Sequence, residues 1–221
     1  MLKNQVLKKI VMSVSGFAMT AFVILHLLGN TTIFAGPDGI NEYAKTLHRF
    51  GGIIWVLRLF LAGAFSLHVF FGISLKLENR AAKSTRYAVK EYITSTFAGR
   101  NAVWTGLLIG AFLGFHLLHF TLQVILPEYS AAVHADAGGR PDVFMMVVGG
   151  FSNLSVAGLY LCGLGALGLH LMHGIQSAFQ TIGMNSERTF PLIVRGGLIA
   201  AALIFLGFAS FPITIFSGLL K

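Results

Sequence analysis

Residues Asn101–Leu126 read NAVWTGLLIGAFLGFHLLHFTLQVIL, an apolar run of membrane-spanning length with His116 in its middle. About 20 helical residues cross about 30 Å of hydrocarbon, so this imidazole lies among lipid tails or other helices. A polar group at that depth is costly without a partner, and ionisable residues inside spans usually serve a function. Three further apolar runs each carry a histidine well inside them: His26, His68 and His170.

The rest of the composition agrees. Of 221 residues 55% are hydrophobic and 11% charged, and the mean hydropathy is +0.77. That is the profile of a membrane protein. Five runs are long enough to span, at about 10–34, 51–76, 102–126, 146–178 and 190–219. The fourth is long for one crossing, so its first residues, through Ser152 and Asn153, are expected in the interface. The expected fold is an all-α integral membrane protein of five transmembrane helices, with residues 1–221 as a single membrane domain. The start, MLKNQVLKKIVMSVSG, is basic and then apolar like a signal peptide. Its apolar part runs on past His26 without an obvious small-residue cleavage site, which reads as a retained first span.

The net charge of +8 does not indicate a nucleic-acid partner. The cations sit between the apolar runs, where membrane topology and anionic lipid headgroups account for them. Lys3, Lys8 and Lys9, then Lys76, Arg80, Lys83, Arg86, Lys90 and Arg100, then Arg188 and Arg195 fall on one side. Lys45, Arg49, Arg140 and Lys221 fall on the other. That excess places the N-terminus in the cytoplasm and the C-terminus outside. The single cysteine, Cys162, allows neither a disulfide nor a CxxC site within the chain, and no CxxCH motif offers covalent haem attachment.

Given a direction for each span, a rise of 1.5 Å per residue turns position into depth. His26 lies roughly 24 Å and His116 roughly 21 Å from the cytoplasmic end, whereas His68 and His170 lie about 12 and 14 Å from it. The four thus form an outer pair and an inner pair. Glycines repeat the pattern: Gly72 and Gly174 follow His68 and His170 by one helical turn, on the same face. Gly16 and Gly106 precede His26 and His116 by ten residues, about 15 Å, which brings them near the inner level. Four ligands at two heights do not converge on one tetrahedral zinc or copper site. Two neutral imidazoles per iron at each height suit two bis-histidine haems, built for electron transfer rather than oxygen binding.

In order along the chain, Ser13-x-x-Gly16 leading to His26, His68-x-x-x-Gly72, Thr105-Gly106 before His116, and His170-x-x-x-Gly174 continuing to Gly183 resemble a known family. It is the single-polypeptide, five-helix, di-haem cytochrome b subunit that anchors bacterial succinate:quinone oxidoreductases and quinol:fumarate reductases. The resemblance covers nearly the whole chain. It implies two haem b groups within the first four spans, His26 and His116 on the outer iron, and His68 and His170 on the inner. It also implies a flavoprotein subunit with FAD and an iron–sulfur subunit at the cytoplasmic face of a bacterial inner membrane. The electron partner it implies is a membrane quinone/quinol, menaquinone in most members. One departure is Gly168, where some fumarate reductases of the family carry an acid implicated in proton movement; that proton route is not expected here.

Other residues are candidates with ordinary roles as competitors. His119 and His173 follow His116 and His170 by three residues and compete for ligation, or meet the outer haem or a quinone (His119) and an inner propionate (His173). Partners for propionates include Ser13, Lys8, Lys9, Lys76, Arg100 and Ser177 at the inner level and Arg58 at the outer; headgroup contact is the expected role of Lys8 and Lys9. Arg58 is expected to be buried and paired with an anion. For a quinone site near the outer haem the candidates are Glu42, His48, Arg58, His119 and Gln123. Glu42 and His48 fall in the segment GPDGINEYAKTLHRFGG, a solvated loop by default. Two rivals remain. One is a di-haem anchor of a formate dehydrogenase or hydrogenase. The other is a proton-coupled transporter with a histidine relay, for which the five runs supply no Asp or Glu.

Overall fold

The computed structural model describes residues 4–82 and 95–221, and all regular structure among them is helical. Asn4 caps the first helix, α1 (Gln5–Asn30), by accepting from the Val6 and Leu7 amides. A 3-10 turn, Thr31–Ala35, extends α1, and α2 (Pro37–Arg49) follows. Then come α3 (Gly52–Ala81), the four-residue α4 (Phe97–Arg100) and α5 (Ala102–His116). The last passes directly into a π-helical turn, Leu117–Thr121. After a 3-10 turn at Pro127–Tyr129 the chain forms α6 (Val143–Ser152), α7 (Leu154–Thr181) and α8 (Phe190–Phe216).

Five segments are long and apolar enough to cross a membrane: Gln5–Ala35, Gly52–Ala81, Ala102–Thr121, Leu154–Thr181 and Phe190–Phe216. The chain is therefore built as a multi-pass membrane protein. Several expected limits are corrected. The run 146–178 is two helices, because Asn153 leaves helical geometry and caps α7, accepting from the Ser155 and Val156 amides. The third crossing stops at Thr121 rather than 126. Beyond it Gln123 and Leu126 take positive φ angles of 55° and 53°, which no continuing helix of L-residues accommodates. The expected first loop is the helix α2, bracketed by Gly36 and Gly51 at φ 82° and 45°; each turns the chain where a side chain would be strained. The second crossing, α3, runs on to Ala81 rather than 76, so the helix takes in Glu78, although the run 51–76 itself holds no acid. Of the segment between α3 and α4, Lys83, Arg86 and Lys90 lie outside the described residues, as does Lys3.

Four helices form the bundle that matters for the site. α1 packs on α3 and on α7, α5 packs on α7, and α3 meets α5 only slightly. Around the bundle the order is α1, α3, α5, α7, with α1–α5 and α3–α7 as its diagonals. α8 lies outside, mainly against α7, where Leu171, Ala201 and Ile204 make a small core. The larger core is at the end away from the N-terminus. There Ile33, Ile40, Phe144, Phe151, Tyr160, Phe211 and Ile215 join α2, α6, α7 and α8.

Candidate haem-binding bundle

The labels inner and outer are kept below for the end where α1 begins and the opposite end. The bundle brings the four histidines together in two pairs, each across a diagonal. The His68 and His170 rings, on α3 and α7, have centroids 6.1 Å apart with planes at 67°. The His26 and His116 rings, on α1 and α5, are 5.9 Å apart at 84°. A linear imidazole–metal–imidazole unit, with metal–nitrogen bonds of roughly 2 Å, sets ring centroids roughly 6 Å apart. Both pairs have that spacing.

The vertical order follows from glycine contacts. A Cβ at Gly16 would stand 3.3 Å from Cε1 of His68, and a Cβ at Gly106 would stand 3.3 Å from Cε1 of His170. Each glycine is thus at the inner level, with the outer histidine of the same helix ten residues, about 15 Å, beyond it.

The inner pair is held by a repeated device. His68 Nδ1 lies 2.9 Å from the Met12 carbonyl oxygen and 3.5 Å from the Ser15 hydroxyl. His170 Nδ1 lies 3.1 Å from the Ala102 carbonyl oxygen and 3.1 Å from the Thr105 hydroxyl. A carbonyl only accepts, so each imidazole carries its hydrogen on Nδ1 and offers the Nε2 lone pair. A hydrogen bond on the far nitrogen is also what orients a metal-ligating histidine and raises its basicity. Met12, Ser15 and Gly16 stand before His26 as Ala102, Thr105 and Gly106 stand before His116, at identical offsets. Each half of the bundle therefore positions its inner histidine from the helix that carries an outer one. These carbonyls and hydroxyls were not singled out as ligand-positioning groups in the sequence; the signal was the hydroxyl–glycine dipeptide recurring eleven and ten residues before a histidine.

The outer pair is held differently. His116 Nδ1 is 3.3 Å from the Tyr160 hydroxyl, and His26 Nε2 is 3.2 Å from the Asn30 amide nitrogen. Iron on Nε2 of His26 would have to replace Asn30 there. The inner residues fit haem as they stand, and the outer ones fit after that one change. Gly72 and Gly174 agree with a flat ring beside the inner histidines. Among the described residues a Cβ at Gly174 would meet no atom within 4 Å, and at Gly72 only Met12 Sδ at 3.8 Å, so their packing does not demand glycine at either place.

His119 and His116 separate clearly. His119 is only 3% exposed, stacked on Phe120 at 4.0 Å, and its Nδ1 is 3.1 Å from the Tyr160 hydroxyl. Of the two histidines, His116 is the one whose ring lies against His26. His173 lies under α4, where a Cβ at Gly99 would stand 3.0 Å from its Nδ1. Among the described residues no three His, Cys, Asp or Glu side chains cluster as a compact metal site would require.

The remaining candidates are scattered. Lys8 is 5% exposed and paired with Glu78 of α3, which corrects its expected headgroup role. Ser13 is buried in α1. The Arg100 guanidinium donates to the Ser95 carbonyl at 2.6 Å. Arg58 is exposed rather than buried, lying 4.9 Å over the Trp55 ring. Arginine snorkelling over an aromatic is the physical reason it needs no buried anion. Glu42 accepts from Arg140 at 3.3 Å in the outer cap, and His48 is exposed in the last turn of α2 with Nδ1 2.8 Å from the Ala44 carbonyl oxygen. Gln123 uses its side-chain oxygen to accept from the Ser130 hydroxyl and the Ala132 amide, so it braces the turn after the π segment.

No family model matches the chain, and comparison with curated proteins and with solved structures found no match.

Proposed function

We propose that this chain is the membrane-anchor cytochrome b subunit of a succinate:quinone oxidoreductase or quinol:fumarate reductase in a bacterial inner membrane. The observation that carries the reading is the pairing of four span histidines across both diagonals, at 6.1 and 5.9 Å, with inner Nδ1 atoms turned onto backbone carbonyls. His68 and His170 would hold one haem b, and His26 and His116 the other. Held by two imidazoles at each level, haem would supply one-electron transfer rather than oxygen binding. The protein's part is to orient the imidazoles, keep them neutral and exclude water. In this reading the N-terminus is cytoplasmic, an iron–sulfur subunit and an FAD flavoprotein dock on that side, and a quinone, menaquinone by resemblance, reacts near the outer end. Of the quinone candidates, Glu42, His48 and Arg58 are exposed, within reach of a molecule arriving from the bilayer or its edge. The dicarboxylate chemistry belongs to the flavoprotein.

Haem quantification per purified chain tests it, repeated with each ligand changed to alanine. The expected result is two haems in the parent. One is lost on changing His26 or His116, the other on changing His68 or His170, and neither on changing His119. A parent without a dithionite-reducible b-type spectrum rejects the reading. Co-purification of a succinate-oxidising flavoprotein separates this complex from a formate dehydrogenase or hydrogenase anchor.

A further inference from the structure

We infer that Tyr160 is the positioning residue of the outer ligand His116, and that His119 acts on that ligand through the same hydroxyl. The inference rests on the two-haem reading and assigns a role that reading leaves open. The Tyr160 side chain is 4% exposed, and its hydroxyl meets two ring nitrogens, His116 Nδ1 at 3.3 Å and His119 Nδ1 at 3.1 Å. A phenol has one hydrogen, so it donates to at most one of the two histidines, while its oxygen can accept. If it donated to His116, that ring would carry its hydrogen on Nε2 and could not bind iron through it. Ligation through Nε2 therefore requires His116 to donate from Nδ1 to the phenol oxygen, which leaves the phenol hydrogen for His119 Nδ1, 3.1 Å away. The chain His116–Tyr160–His119 has a single direction.

The local structure is built to hold that chain. The π-helical turn beginning at Leu117 re-aims the backbone immediately after His116, and such turns gather at functional positions. It sets His119 behind Tyr160 rather than in line with the other imidazoles. Gly150 of α6 closes over it, since a Cβ there would stand 2.9 Å from both Cε1 and Nε2 of His119. Phe112, Phe115, Phe120 and Phe151 pack around the Tyr160 ring. The arrangement has no counterpart in the other half of the bundle. Ten residues before His170 stands Tyr160, but ten before His68 stands Arg58. The inner ligands are matched, and the outer ones are not.

An imidazole that donates to an acceptor is a stronger electron donor to its metal and favours ferric iron. Tyr160→Phe removes the acceptor without changing the ring, so the outer haem should shift to higher potential with an altered low-spin EPR signal. The inner haem should not move in either respect, and its signal serves as the internal control for folding. His119→Leu keeps the phenol but removes what polarises it, and should move the outer potential the same way by less. Redox titration followed by EPR on the isolated membrane complex reads both. Retention of two haems with an unmoved outer potential in Tyr160→Phe overturns the inference. If that variant loses the outer haem altogether, His119→Leu decides: an upward shift sustains the assignment and an unchanged potential overturns it. A parent without haem removes the site itself, and this inference with it.

Discussion

The imidazole planes within each pair are crossed, at 84° and 67°. In the proposed two-haem reading, axial planes crossed in this way would donate to different iron π orbitals and leave them nearly equal in energy, giving a strongly anisotropic low-spin ferric signal. EPR of the oxidised protein should show two such signals, the outer the more extreme. Space around the inner ligands is tighter. Gly16→Ala and Gly106→Ala each set a methyl 3.3 Å from a ligand Cε1, and each should weaken retention of the inner haem while sparing the outer. Gly174→Ala offers the converse test. A Cβ there meets no atom of the described residues within 4 Å, so the thermal midpoint of haem-free protein should hardly change, whereas haem content should fall. The pairing of these histidines was legible from depth, and the choice of His116 over His119 agrees with the ring geometry. The Tyr160 contacts were not legible, since a lone tyrosine in an apolar run discloses no partner.

Helix limits were legible where hydropathy ends sharply and missed where polar atoms end a helix inside an apolar stretch. Asn153 illustrates the second case: its side chain satisfies two amides at the start of α7, while beyond the short SNLS segment the chain is apolar on both sides. Asn153→Ala should cost about 1 kcal/mol, the usual worth of such a cap, measured as a lowered thermal midpoint in detergent. The segment GPDGINEYAKTLHRFGG reads as a loop from its polar, glycine- and proline-marked composition, yet 37–49 is helix α2. In the fold it lies across the outer end, with Ile40 and the fully buried Asn41 turned inward. Asn41 donates to Asp136 at 3.1 Å and Asp142 at 3.3 Å, and accepts from the Phe144 amide at 3.0 Å. Asn41→Leu leaves that amide without its partner, a loss of about 1–3 kcal/mol.

Across the whole molecule the outer cap is tied by charge. Arg140 bonds Asp38 at 2.5 Å, Asp136 at 2.6 Å and Glu42 at 3.3 Å, so α2 is joined to the 136–140 turn. The Arg140 amide, followed by its guanidinium, the Asn41 amide and the Gly138 amide, holds the Asp136 carboxyl down to about 2 against a partial opposing cost of burial. A carboxyl lowered on folding stabilises the native state above its unfolded pKa, near 4, and loses that contribution as the pH falls toward 2. The thermal midpoint in detergent should therefore decline between about pH 4 and 2, and Asp136→Asn should flatten that decline. The carboxylate pairing of Arg140 pushes its own titration far above any working pH, so it adds nothing in that window.

What the chain alone determined is the set of five apolar crossings, the two depths of the histidines and the glycines that accompany them, because hydropathy and helical rise are properties of sequence order. Tertiary structure decided which nitrogen of each inner imidazole carries the hydrogen, which of His116 and His119 lies against His26, and how the outer end is closed. Those depend on where a carbonyl, a hydroxyl or a guanidinium arrives from another helix, and no spacing along one helix contains that information.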